Sequence, residues 1–487
     1  MNLYFSDFFG VSQEVLDQHG AFNISLVTDL PLFIDPFLLF YSEKKEYQDL
    51  HENIINYLRF LKQKSEEGHI SPALIKSWYR FSEVKQNWLG FCKSGNTGRG
   101  LGTKFAEALN KNLVLVFRDF GQERITSATH LEKLCLIRSG VGRDMISDFT
   151  TNLIKDYLLK YTQDFAEKHI DPSLTRTVAV NKVIFDYRLE RWMAKHYKLP
   201  YYDNNYVMLS PKDILTKDDA WISHSDLVRN FIDIPNAIEN DALRAQTNNY
   251  FYSRIPKDRE PTKKEYIKAI EATLDNYPQL IDYYIKKKED SGDQAVSISN
   301  SKINDSIRLY VKQFGHLISL LNQHTKFYKI PENTSEETRT KIEFLKDVIE
   351  NKGGYRIFYI KNKPIRKETD AHILFRLTWH CTPSDVSREV NDGRGPADFK
   401  ISRGVSDKTM VEFKLASNPQ LRRNLERQLE LYMLASGAQA GYKVIIYFTD
   451  EEFIKIHKIL KELHMEEDPH IYLIDARLDN KPSGSKA

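Results

Sequence analysis

A mixed β-sheet flanked by helices in the C-terminal third, attached to a large, mainly α-helical N-terminal region, is the architecture that this sequence predicts. Three observations predict it. From about residue 334 the pattern alternates helix and strand, and a mixed sheet covered by helices is the packing solution for that order. Upstream, long stretches carry apolar residues at three- and four-residue spacing, the mark of amphipathic helices. A chain of 487 residues also exceeds one domain, at roughly 100–200 residues each. Three regions separate: 1–235, 236–333 and 334–487.

Composition narrows the class. Hydrophobic residues are 41% and charged residues 28% of the chain, which excludes wholesale disorder. Lys+Arg total 70 against 67 Asp+Glu, so the net charge of +3 excludes a polybasic protein but permits a local basic patch. Cys92, Cys135 and Cys381 form no CxxC pair, so neither disulfides nor a structural zinc site is expected. The start, MNLYFSDFFG, lacks the pattern of a signal peptide. The apolar stretch from Leu30 to Phe40, broken by Asp35 and Pro36, is far short of the roughly 20 residues of a membrane span. The expectation is a soluble cytoplasmic protein with no membrane partner.

In the first region, 51–63 and 148–169 read as amphipathic helices, and 112–120 and 206–210 as short buried strands or apolar loop segments. Residues 1–235 are expected to act as a sensor, a specificity module or an oligomerisation platform. Residues 236–333 read as a helical connector. Within it, the polar, small stretch 289–301 reads as a linker where a hinge would sit.

The third region opens with a helix whose Thr334 and Glu337 have capping-box spacing and which stops at Gly353–Gly354. The expected order is then a strand (355–360), a helix (367–379) and strands around 385–390, 397–402 and 409–416. A basic helix (419–436), a strand (442–449), a helix (451–464) and a last strand (471–477) follow, and the terminal 479–487 reads as frayed.

The informative stretch is 393–417, GRGPADFKISRGVSDKTMVEFKLAS. A hairpin turning at 404–406 sets Asp398 opposite Glu412, and opposed residues of antiparallel strands share a face. Lys414 lies two residues beyond Glu412 and points the same way. Two carboxylates so close repel unless a cation lies between them. Oxygen donors suit Mg²⁺ or Mn²⁺, with the carbonyl of Phe413 as a further ligand. The competing reading is a solvated hairpin whose charges pair with one another.

Asp398, Glu412 and Lys414, with Pro396-Ala397-Asp398 near the leading element, resemble the PD-(D/E)xK nuclease motif. The inserted Ala397 departs from its strict form. Gln428 and Tyr432 on the following helix are similar to the QxxxY motif of the RecB-like branch. The resemblance covers roughly residues 355–475. It implies a restriction-endonuclease-like domain and Mg²⁺-dependent hydrolysis of phosphodiester bonds, with Gln428 and Tyr432 near the scissile region. It also implies an acidic residue on the helix before the sheet, which Glu368 matches, with Glu389 as the competing candidate. Seven basic residues stand against three acidic ones between Phe399 and Arg427. Arg422, Arg423 and Arg427 are the expected contacts to a phosphate backbone.

Other signals carry less. The glycine-rich 93–105 fails the Walker pattern, because Thr103 precedes Lys104, and reads as a loop. In 139–149, Asp144 and Asp148 share a helix face, for capping or for a ligand. His372 and His380 are eight residues apart, too far to share a metal, and read as core or surface histidines. The expected function is a metal-dependent nuclease, acting on DNA, with antiphage defence suggested by analogy. Its expected partners are nucleic acid and either further copies of itself or a second defence subunit. A repair or restriction nuclease, and a non-catalytic nucleic-acid-binding protein, stay open.

Overall fold

Apolar residues at helical spacing do fold as helices in the N-terminal region. The computed structural model describes residues 3–481 except 69, 91–105, 107, 108, 111, 112, 114–122, 137–142, 218, 324–330, 381, 392–395, 405, 427–432 and 434–436. The glycine-rich 93–105, nearly all of 112–120, and Arg427, Gln428 and Tyr432 therefore lie outside the described residues. Helix α1 (Lys45–Glu66) contains 51–63 and buries Ile54, Leu58 and Leu61 on one stripe. The run 148–169 forms two helices, α2 (Arg143–Leu153) and α3 (Lys155–His169), interrupted at Ile154. Residues 206–210 form only the end of a two-residue strand, Asn205–Tyr206, followed by a buried loop.

The mainly helical reading of this region needs one correction. Strands β1 (Thr175–Asp186) and β2 (Arg191–Tyr202) form a long antiparallel hairpin. Its turn is built on aspartate: Asp186 Oδ1 accepts the backbone N–H groups of Arg188 at 2.9 Å and Leu189 at 3.0 Å.

The described residues of 236–323 are mainly helical, through α4 (Asp241–Ser253), α5 (Lys263–Asn276), α6 (Leu280–Glu289), α7 (Gly292–Ser306) and α8 (Phe314–Asn322). A π-helical turn, Ile307–Gln313, joins the last two. The expected linker at 289–301 is therefore wrong: most of it is α7. Its small residues are a packing face. Ala295, Ser299, Ile303 and Ser306 are buried, and Ser299 donates to the Leu215 carbonyl. A Cβ on Gly292 would lie 2.1 Å from the Tyr41 ring, and the Tyr41 hydroxyl donates to Asp293 at 3.0 Å. Small side chains let the helix approach this closely.

In the C-terminal region α9 (Thr334–Asn351) is capped by Asn333, whose side chain accepts the Glu336 N–H at 2.8 Å. The expected Thr334–Glu337 box does not form, because both residues bind elsewhere. Thr334 donates its hydroxyl to Asp407 at 2.6 Å. Glu337, 3% exposed, accepts from Thr382 at 2.6 Å, from Ser384 at 2.7 Å and from the Arg403 guanidinium. The expected strand at 355–360 is mostly a 3-10 turn, Gly354–Phe358, ending in a two-residue strand, Tyr359–Ile360.

Helix α10 (Glu368–Thr378) leads into the sheet of β3 (Asp385–Asn391), β4 (Pro396–Arg403), β5 (Asp407–Leu415), β6 (Ala440–Tyr447) and β7 (Ile471–Asp475), with α11 (Asp450–Glu462) between the last two. The spatial order is β7-β6-β5-β4-β3, antiparallel from β3 to β5 and parallel from β5 to β7. It is a mixed sheet of five strands, as the element order predicts. Alternate residues of β6 serve two cores: Val444 and Ile446 join α9, whereas Ile445 and Tyr447 join α11. With helices on both faces, β5 is buried from Thr409 to Leu415.

The Glu337–Arg403 pair ties α9 to the hairpin that carries Asp398. Removing Glu337 leaves the partly buried Arg403 guanidinium with only the Ser384 hydroxyl at 2.8 Å and the Pro331 carbonyl at 2.6 Å, a loss of about 1–3 kcal/mol. Glu337→Ala is expected to lower the urea midpoint of the full chain accordingly, and an unchanged midpoint would count against this pair as a brace.

Candidate active site

The hairpin register puts the acidic residues together. Pairing runs from Asp407↔Arg403 to Val411↔Phe399, and one further step sets Asp398 opposite Glu412. There the backbone N–H of Asp398 donates to Glu412 Oε2 at 3.3 Å. Asp398 Oδ2 in turn accepts the Phe413 N–H at 2.7 Å, so a side chain takes over from the ladder at the point where the strands part.

Lys414 sits at the centre. Its Nζ lies 2.7 Å from Glu412 Oε1, 3.3 Å from Asp398 Oδ2 and 3.5 Å from Glu368 Oε2. It also donates to the Phe413 carbonyl at 3.0 Å. Glu412 is 4% exposed and Lys414 7%, so water screens these charges little. Glu368 comes from the N-terminus of α10, and its other oxygen accepts from Asn418 at 2.8 Å and the Leu415 N–H at 3.4 Å. Of the two competing acids, Glu368 joins the cluster. Glu389 lies on β3, and its side chain is outside the described residues.

Two residues of the site escaped the sequence reading. His372, taken there for a core or surface histidine, is 5% exposed and places Nε2 3.3 Å from Asp398 Oδ2. The available signal was its spacing of four from Glu368, which puts both on one face of α10. Asn418, just past β5, carried no signal of its own. His380 lies beyond the end of α10, away from the cluster.

The two hairpin carboxyls are driven apart in acidity. Burial pushes Asp398 up, but the neighbouring His372 imidazole, the Lys414 ammonium and the Phe413 amide outweigh it and hold this carboxyl low. Burial and the charge of Asp398 push Glu412 up, against the pull of Lys414. Lys414 is held well above its ordinary value: its three carboxylate neighbours overcome its burial.

Among the described residues no three His, Cys, Asp or Glu side chains converge on an open point as a metal set. The carboxylates converge instead on the Lys414 ammonium. The donor set is chemically suited to a hard divalent cation, since Asp398, Glu412, Glu368 and the Phe413 carbonyl offer only oxygen. Of the predicted nucleic-acid contacts, Arg422 and Arg423 are exposed on a helical stretch at 421–426, and Arg422 is engaged with Glu462 at the end of α11. In the N-terminal region Asp148 is pushed up to about 7 by burial and by the nearby charges of Glu83 and Asp144. Those acids lie on and beside α2.

Residues 10–223 match a family model described as a domain of unknown function (DUF8370), and residues 334–450 match a second (DUF8371). No curated protein and no solved structure matches the chain. No described helix is long and apolar enough to cross a membrane.

The pH dependence of the metal-free protein follows from the shifts. A depressed Asp398 contributes stability above the ordinary carboxylate range, and this is lost as pH falls through its folded value. A raised Glu412 contributes stability below the ordinary value of 4.5, and this is lost as pH rises toward its folded value. Glu412→Gln mimics the protonated acid. In EDTA it is expected to be more stable than the parent at about pH 8.5, with the difference fading toward about pH 5. Urea midpoints at both values check this, and a difference that does not grow with pH would contradict it.

Proposed function

We propose that the chain is a metal-dependent nuclease that hydrolyses phosphodiester bonds, with DNA as substrate. The observation that carries this reading is the convergence of Asp398, Glu412 and Glu368 on Lys414, at the spacing that resembles the PD-(D/E)xK motif. Asp398, Glu412 and the Phe413 carbonyl would hold Mg²⁺ or Mn²⁺, with Glu368 beside them. Bound there, the ion would supply activated water and charge neutralisation at phosphate.

The chain's own residues have separable tasks. Asp398 stays ionised because His372 and Lys414 flank it, so it is ready to accept a cation. His372 sits beside Asp398 from α10, its Nε2 3.3 Å from Oδ2. Lys414 keeps its positive charge beside the carboxylates and would stabilise negative charge on a phosphate oxygen. Gln428 and Tyr432 belong to this reading through the resemblance alone. Arg423, exposed on the helical stretch at 421–426 that follows β5, favours nucleic acid over a small phosphoester, and Arg427 joins it by sequence. A role in antiphage defence in the cytoplasm rests on analogy, from a nuclease-like domain fused to a large region of another kind. A non-catalytic binder would not need Asp398, Glu412 and Lys414 all intact.

The test is cleavage of supercoiled plasmid and of single-stranded RNA in Mg²⁺, with EDTA as control. Asp398→Asn and Glu412→Gln are each expected to lose at least about 100-fold in rate, and Lys414→Met about as much. Cleavage by either carboxylate variant at the parental rate would refute the assignment.

A further inference from the structure

A cavity of about 450 Å³ opens between the N-terminal region and the C-terminal sheet. This is the size of a small-molecule site. Lys85, Trp88 and Tyr202 line it from one side, and Arg376, Trp379 and Asp385 from the other. We propose that this cavity binds a nucleotide, at a site separate from the carboxylate cluster.

Its walls supply the three kinds of contact a nucleotide needs. Trp88 and Tyr202, both only half-buried, offer aromatic surface to a flat base, and base–aromatic stacking is worth about 1–3 kcal/mol per base. Lys85 and Arg376 bring positive charge to the wall, which suits a phosphate. Asp385, exposed at the start of β3, offers an acceptor to a ribose hydroxyl or a base amino group.

A further observation points to a ligand. Trp88 has a φ of 52°, in the left-handed region that a bulky residue rarely adopts. Such strain gathers at binding sites, where the surroundings hold a side chain in place for use.

The cavity is not the catalytic cleft. Asp385 pairs with Ser402, four residues along β4 from Asp398, or about 13 Å. Arg376 lies eight residues beyond Glu368 on α10, or about 12 Å. Both elements that carry site residues therefore run from the carboxylate cluster to the cavity wall. The binding claim is independent of the nuclease reading.

The experiment is titration calorimetry on the full chain with AMP, GMP, CMP and UMP, and with inorganic phosphate as control. At least one nucleotide is expected to bind below about 1 mM, with phosphate alone weaker. Arg376→Gln and Trp88→Ala, each checked for a parental melting curve, are expected to weaken binding at least about tenfold. Asp398→Asn is expected to bind as the parent does. Three results would overturn the proposal: no nucleotide binding below that concentration, pocket variants of parental affinity, or binding that Asp398→Asn abolishes. Should Trp88→Ala fail to fold, Arg376→Gln decides alone. Loss of plasmid cleavage with nucleotide binding intact would refute only the nuclease reading.

Discussion

Three carboxylates around one ammonium, at the end of a buried hairpin, are the constraint from which the rest of the C-terminal region follows. Asp398 and Glu412 share a face by register, and neither is exposed enough for water to separate their charges. Lys414 relieves the repulsion from the adjoining position of the same strand. The arrangement demands an exact pairing of β4 with β5, because a one-residue slip would send Asp398 to the opposite face. Apolar packing on both sides of the sheet enforces that register, as does the Glu337–Arg403 brace behind it.

The third carboxylate depends on more of the chain. Glu368 and His372 belong to α10, and α10 is held by residues from each of the three regions. Asp370, in its first turn, accepts from Tyr310 at 2.6 Å and lies 3.5 Å from Lys217 Nζ. Lys341 of α9 donates to the Thr378 carbonyl at 3.3 Å, at the helix's negative end. The hydrophobic core is likewise continuous from Leu3 to Ala476. The position of Glu368 is thus a property of the whole chain, which gives the N-terminal region a physical means of acting on the site.

What the sequence made legible was local. The hairpin announced itself through Gly404, which takes a φ of 73° at the turn, and through the alternation on either side. Helices with a clear apolar stripe, such as α1 and α11, were equally plain. Errors arose where composition imitates something else. Serine, alanine and glycine in α7 look like a flexible linker, but they line a face pressed against Tyr41 and Leu215. The hairpin of β1 and β2 was missed because its turn has no glycine and its strands are studded with lysine and arginine. His372 and Asn418 were hidden because their roles exist only once α10 and the end of β5 meet in space. Thr334 has capping spacing, yet Asp407, far along the chain, competes for its hydroxyl and wins.

We propose that the carboxylates around Lys414 form a site for a divalent cation, with the ammonium as their counter-charge in the metal-free protein. Manganese binding to the full chain, followed by electron paramagnetic resonance, tests this most directly. Saturable Mn²⁺ binding is expected, and the double variant Asp398→Asn/Glu412→Gln is expected to abolish it while its melting curve remains cooperative. Mn²⁺ binding that survives in the double variant, or no saturable binding by the parent, would contradict it.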